Sequence, residues 1–129
     1  MGQHAIETII ESADRAISDE DWDNLSSLYA EDAMLVVEPG KTVVGREQII
    51  AACRAIATQF DDSLDIRQNG ITILETGDTA LVLANTLVLS DDTQPVERKA
   101  TYVFRKHPDE GWLCIIDNSY GSDLVDTGG

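Results

Sequence analysis

The side chains able to do chemistry in an apolar setting are few, and they cluster in the middle and at the end of the chain. Glu38 follows the run Met34-Leu35-Val36-Val37 and precedes Pro39-Gly40. A carboxylate there can take a proton from a carbon next to a carbonyl if it is shielded from water, because desolvation raises its basicity. The same residue opens a Pro-Gly turn, where it can equally face Lys41 at the surface. A second polar group, Asp117-Asn118-Ser119, interrupts the apolar stretch 112–120. Period-two alternation puts Trp112, Cys114, Ile116, Asn118 and Tyr120 on one face, with Leu113, Ile115, Asp117 and Ser119 on the other. Asp117 can pair with Arg98 or Arg105 across the sheet or across a dimer. Asn85 and Thr86 stand inside an apolar strand and Thr101 lies in the next, so any of them that is buried must find a hydrogen-bond partner. Alternation sends Asn85 and Thr86 to opposite faces.

Other chemistries lack their residues. Cys53 and Cys114 lie far apart in apolar stretches without metal spacing, and they read as buried free thiols, which fits a reducing cytoplasm. His4 and His107 have no second histidine or cysteine at ligand spacing and are assigned to solvent. Asp19, Asp21 and Asp23 imitate half a calcium loop, but Asn24 stands where the loop needs glycine and Ala30 where it needs glutamate, so no metal is expected. Glycine-rich phosphate loops, a serine nucleophile elbow and a dinucleotide fingerprint are all missing, and no cofactor is expected. Nine Lys and Arg against 24 Asp and Glu give a net charge of −15, which argues against nucleic acid and anionic membrane surfaces as partners. The acidity itself reads as solubility. Acidic residues at 7, 11 and 14 break any signal-peptide core, and no apolar run is long enough for a membrane span.

The elements that must position these groups follow from periodicity. Ile6, Ile9, Ile10, Ala13, Ala16 and Ile17 make one stripe of a helix over 4–19. Asp21 is a suitable N-cap for a shorter helix carrying Trp22, Leu25, Leu28 and Tyr29, whose aromatic residues are core candidates. A third helix is expected over 46–60, with Ile49, Cys53, Ile56 and Phe60 in its stripe. A hairpin turning at Pro39-Gly40 separates the second helix from the third. Four strands are then expected over 64–75, 79–90, 96–106 and 112–120, broken at short turns. Helices first and a meander last mean α+β. One domain is expected over 4–121, followed by a tail over 122–129. Leu81, Leu83, Leu87 and Leu89 alternate with Val82, Ala84 and Val88, so both faces of that strand are apolar. One face meets the helices, and the other predicts a homodimer through the sheet.

The wording of three segments resembles one superfamily. Leu28-Tyr29-Ala30-Glu31-Asp32-Ala33 resembles the "LFADDA" step from second helix to first strand in nuclear transport factor 2-like proteins. Val43-Val44-Gly45-Arg46-Glu47-Gln48-Ile49 resembles their entry to the third helix, and Gly111-Trp112-Leu113 the "GxW" of their last strand. More narrowly, the chain resembles SnoaL-like proteins of the SgcJ/EcaC group and the calcium/calmodulin-dependent kinase II association domain. The resemblance implies a cone-shaped, cystatin-like fold in which three N-terminal helices pack on a curved antiparallel sheet around a pocket. Members include isomerases, dehydratases, cyclases and noncatalytic assembly or transport domains, so the fold alone does not settle function.

Ketosteroid isomerase, which shares this fold, uses a carboxylate base near the first strand and an oxyanion hole made by a tyrosine and a protonated aspartate. Aligned with it, Ala13 and Thr101 occupy the tyrosine and second acid positions, and Val37 and Glu38 stand near the base. Steroid isomerisation by that mechanism is therefore not expected. The same alignment turns Asn118 and Tyr120 into the cavity, where Asn118 orients a ligand carbonyl and Tyr120 donates a hydrogen bond or stacks on a ring. Thr86 and Thr101 are expected in the lining, Asn85 towards a partner subunit, and the Tyr29 hydroxyl at the rim. The expected function is pocket binding of a small apolar molecule in a noncatalytic binding or assembly domain. The alternative is a cofactor-independent isomerase, dehydratase or cyclase on a polyketide- or steroid-like carbonyl compound, with Glu38 as base. What separates the two is whether a carboxylate enters the cavity.

Overall fold

The structure, a computed structural model, describes residues 4–59, 65–91 and 94–125. Phe60, Leu64 and the end of the tail, to which the sequence extends its third helix, first meander strand and C-terminus, lie outside the described residues.

Helix α1 (Ala5–Asp19) buries Ile6, Ile10 and Ala16. His4 caps it rather than standing in solvent: its Nδ1 accepts from the Ile6 N–H at 3.0 Å while Nε2 meets Glu75 at 2.7 Å. Glu20 ends the helix in the left-handed conformation (φ 56), with its N–H on the carbonyls of Ala16 and Ile17. Asp21 then caps α2 (Trp22–Ser27) by accepting from the Asn24 N–H at 3.3 Å. The helix stops before the sequence pattern does. The Leu28 carbonyl accepts from the Cys114 N–H at 3.0 Å, and Tyr29 opens β1 (Tyr29–Glu38) instead of closing the helix. The Arg46 guanidinium holds the Tyr29 carbonyl at 2.8 Å, so the sheet captures the chain at this point.

Strand β1 turns at Pro39-Gly40 into β2 (Lys41–Val44), and α3 (Arg46–Gln59) follows. The meander is β3 (Asp65–Thr76), β4 (Thr79–Leu89), β5 (Val96–His107) and β6 (Gly111–Asn118). The six strands run in the order β2-β1-β6-β5-β4-β3. All neighbours are antiparallel except β1 and β6, which pair in parallel. The sheet is therefore mixed where a wholly antiparallel one was expected. Hairpin turns dictate antiparallel neighbours, but nothing local dictates the direction of a pair that closes across the whole chain.

The helices cover the concave face, and the core lies between, with Ile6, Leu25, Ile49 and Val82 fully buried. Burying each such side chain contributes about 1.5–3 kcal/mol. The convex face is different. Val44, Met34, Ile116, Val103, Leu81 and Leu74 stand in one continuous register line across all six strands. Five of them are exposed, from 38% at Met34 to 54% at Leu74. Among the described residues no helix is long and apolar enough to cross a membrane.

Two irregularities shape the concave side. Between Gln68 and Ile71 strand β3 carries one residue more than β4, beside Gly70 at φ 111. Strand β6 has its own extra residue, Ile115, because Phe104 pairs with Cys114 while Val103 pairs with Ile116. After β6 the Asn118 side chain closes a turn. Its Oδ1 accepts from the N–H groups of Tyr120 (3.0 Å) and Gly121 (3.1 Å), and its Nδ2 donates to the Gly121 carbonyl (3.1 Å). A short 3-10 turn (Gly121–Leu124) then lies against β5. Gly121 is required there: a Cβ would come 2.2 Å from the Lys99 carbonyl oxygen, at a φ of +55.

Candidate active-site cavity

The space between α1 and the concave face holds a cavity of about 100 Å³. Its walls are aliphatic and aromatic, among them Ile9, Ile17, Val88 and Phe104, and into them project Asp14, Tyr29, Thr86, Arg98, Tyr102, Asp117 and Ser119. It is smaller than the 150 Å³ apolar cavity that accepts benzene.

The bulge at Ile115 decides which face of β6 reaches it. Strict alternation from Cys114 brings Ile116, Asn118 and Tyr120 inward. The extra residue resets the phase, so Cys114 points in, Ile116 joins the convex line, and Asp117 and Ser119 line the cavity. Asn118 and Tyr120 fall outside the lining: Asn118 builds the turn, and the Tyr120 ring lies under the Arg98 guanidinium at 4.5 Å. Thr101, paired with Asn118 and Leu83, also lies outside. Tyr29 and Thr86 do line the cavity, and both are buried. Asn85 takes the opposite face from Thr86, paired with Lys99, and its Oδ1 is shielded without a partner. Glu38 sits exposed at the hairpin turn opposite Lys41, away from the cavity, because the tight Pro39-Gly40 turn carries it to the sheet edge.

The acids in the cavity are instead Asp14 and Asp117. Asp14 reaches it from α1, one turn after Ile10 and just before Ile17, at the border of the apolar stripe. Its Oδ2 accepts from Gln68 Nε2 at 2.9 Å. Gln68 is locked in turn, since its Oε1 accepts from the Thr86 hydroxyl at 3.1 Å, and that hydroxyl lies 3.4 Å from the Tyr102 hydroxyl. Burial pushes the Asp14 carboxyl up to about 7; the Gln68 hydrogen bond opposes this, and the charges of Asp117, Asp65 and Glu11 add to it.

Asp117 accepts from the Tyr29 hydroxyl at 2.6 Å through Oδ2. Its Oδ1 is shielded from solvent and has no hydrogen-bond partner. Burial raises this carboxyl too, against the stabilising Tyr29 hydrogen bond. It pairs with neither Arg98 nor Arg105; the latter lies 3.7 Å from Asp32.

Tyr29, Tyr102, Cys53 and Cys114 stay protonated at neutral pH. Burial holds the hydroxyls of Tyr29 and Tyr102 protonated. It pushes the Cys53 thiol up to about 12 and raises that of Cys114, so neither offers a thiolate at neutral pH. Among the described residues no cluster of three metal-ligating side chains forms. The cavity thus offers one carboxyl that ionises near neutrality, a second raised by burial and carrying a free oxygen, and a tyrosine on that second acid. These are the group types of the ketosteroid isomerase mechanism, supplied from other positions.

Asp14 was not singled out by the sequence, and Asp117, named there with Asn118 and Ser119, was placed on the face away from the cavity. Asp14 counts as one more acid on an amphipathic helix until its spacing to Ile10 and Ile17 is noticed. Asp117 required the bulge.

Comparison with known proteins gives a consistent family and little chemistry. No curated protein matches the sequence. A protein of unknown function with a cystatin-like fold from Nostoc punctiforme superposes with a TM-score of 0.77 at 18% identity, over 91% of this chain and 92% of that one. A candidate dehydratase of the NTF2-like family from Streptomyces avermitilis gives 0.68 at 25% identity, over 88% and 91%. A candidate calcium/calmodulin-dependent protein kinase II association domain from Xanthomonas campestris gives 0.76 at 21%, over 92% and 86%. The SnoaL-like domain profile matches residues 6–115. With helices, curved mixed sheet and profile in agreement, the chain belongs to the SnoaL-like domain family of the nuclear transport factor 2-like superfamily.

Proposed function

We propose that this domain catalyses proton transfer on a small, largely apolar carbonyl compound, as an isomerase or dehydratase, with Asp14 as base and Asp117 as neutral hydrogen-bond donor. The observation that carries this is the presence of two half-buried carboxyls in one apolar cavity, the second with a shielded, unpartnered oxygen. A pure binding site for an apolar molecule gains nothing from desolvated acids, which cost stability.

At neutral pH Asp14 is divided between its two forms. The ionised form takes a proton from a carbon next to the carbonyl, and the C–H electron pair moves onto the carbonyl oxygen. Asp117 donates to that oxygen through Oδ1, while Tyr29 holds Oδ2. In a β,γ-unsaturated substrate, returning the proton from Asp14 to the γ carbon moves the double bond into conjugation and completes an isomerisation. Giving it instead to a β-hydroxyl, which leaves as water, completes a dehydration. The cavity volume limits the substrate to a molecule no larger than benzene, well short of a steroid skeleton.

The half-reaction can be read without knowing the substrate. Ketones of about four to six carbons, a range set by the cavity size, are incubated with the protein in D2O, and deuterium entry beside the carbonyl is followed by NMR. The wild type is expected to exceed buffer, and Asp14→Asn to lower the rate about 100-fold or more. Exchange at the buffer rate across the whole panel returns the domain to the noncatalytic reading.

The convex apolar line supports a second proposal, that two copies of the chain join face to face. It is uncharged on a chain of net charge −15, and a two-fold contact needs one self-complementary patch. Sedimentation at varied salt tests it: a dimer that tightens with salt is expected, and a monomer at all concentrations contradicts it.

A further inference from the structure

Arg98 lines the same cavity as the two acids but also the depression beside it, a space of about 320 Å³ bounded by Glu97, Lys99, Tyr120 and Ser122. Its guanidinium rests 4.5 Å above the Tyr120 ring. Such stacking fixes the direction of the side chain without using its N–H groups. Among the described residues no ion pair joins Arg98 to a carboxylate, although Glu97 adjoins it in sequence and Asp14 and Asp117 share its cavity. The carboxyls of Asp14 and Asp117 are raised by burial and owe nothing to a neighbouring cation. The remaining cavity groups are hydroxyls, hydrocarbon and the Cys114 thiol. In a chain with 24 acidic residues against nine basic ones, an arginine held in place at a cavity and without a carboxylate partner among the described residues is out of keeping with its surroundings. A planar guanidinium with parallel N–H groups matches a carboxylate, which it binds bidentately.

We propose that Arg98 is the anion subsite of the cavity, and that the substrate is a small monocarboxylic acid, its carboxylate on Arg98 and its carbon chain directed towards Asp14 and Asp117. This rests on the acid–base reading for the reaction but not for the binding. Burial raises both carboxyls of the cavity, which lessens their repulsion of such an anion, and the aliphatic walls receive the chain. The cavity volume sets a length of about four to six carbons. The reacting carbonyl then belongs to a keto acid, which also carries the leaving β-hydroxyl where the reaction is a dehydration.

Binding tests this directly, with pentanoate and pentanamide as isosteric probes titrated into the protein at pH 7 by calorimetry or NMR. The wild type is expected to prefer the carboxylate by about tenfold or more, the effect of a charge-assisted hydrogen-bonded pair. Arg98→Met is expected to remove that preference while keeping amide binding, and Arg98→Lys to keep part of it. Equal affinities in the wild type, a preference that survives Arg98→Met, or no carboxylate binding at concentrations to about 100 mM, weaker than millimolar affinity, overturns the subsite. The wild-type comparison needs no variant to fold. Asp14→Asn separates the two proposals, because it is expected to keep the carboxylate preference while losing deuterium exchange. A carboxylate preference without wild-type exchange leaves the subsite standing and the reaction refuted. Exchange without the preference does the reverse.

Discussion

The two faces of one sheet are built from the same kind of residue and have opposite chemistry. On the convex side, Val44, Met34, Ile116, Leu81 and Leu74 form an exposed apolar line with no charge in it. On the concave side, equally apolar walls enclose Asp14 and Asp117, each tied to a hydrogen-bond donor on a different strand. Hydrophobic area explains the first and most of the second. It does not explain why two carboxyls are kept out of water at a cost in stability. That difference marks the concave side as the working one, and it can be broken or sharpened from either face.

The largest expected effect is on the concave side. Asp14→Asn should lower carbonyl-dependent exchange by about 10²–10⁴-fold, the usual contribution of a positioned base. The same variant should raise stability. The native Asp14 keeps its proton up to about pH 7, whereas the unfolded chain loses it near 3.8. Between those values the native state binds more protons, so stability falls as pH rises. At pH 8 the asparagine variant should be more stable by about 2–4 kcal/mol, read by urea unfolding, and its stability should no longer decline between pH 4 and pH 7. Gain of stability with loss of exchange is the pattern of a functional acid.

Gly121→Ala comes next. The added Cβ meets the Lys99 carbonyl at 2.2 Å, and backbone must move to relieve it. About 2–4 kcal/mol of stability should be lost, with exchange falling because Ser119 and Tyr120 sit on the displaced turn. Tyr29→Phe should cost about 1–2 kcal/mol and shift the Asp117 titration further upward, since the lost hydrogen bond favours its ionised form. The smallest effect on folding belongs to the convex face. Leu81→Lys should alter monomer stability by no more than about 0.5 kcal/mol, because the side chain is already 38% exposed, yet abolish self-association in sedimentation.

The fold is readable in the sequence where local periodicity controls it. The stripe Ile6-Ile10-Ala16, the cap at Asp21, the turn at Pro39-Gly40 and the four strands of the meander all follow from spacing and turn residues. Tyr29 does not, because its place in β1 comes from pairing with Cys114 far along the chain. The site is less legible for a related reason. A single extra residue, Ile115, reverses the face of everything after it on β6 and exchanges Asn118 and Tyr120 for Asp117 and Ser119. Alternation carries no signal of a bulge until the partner strand is known. Glu38 attracts attention by its apolar neighbours, while Asp14 is hidden among the acids of a helix whose geometry alone brings it to the cavity.

The most direct measurement is a carbon-detected NMR titration of the aspartate carboxyls, with Asp14 and Asp117 assigned by substitution. The account predicts that Asp14 titrates near 7 and that Asp117 titrates above the ordinary carboxylate range. Both groups titrating near 4 would contradict it, because two hydrated, fully ionised carboxylates supply neither the base near its working pH nor the neutral donor.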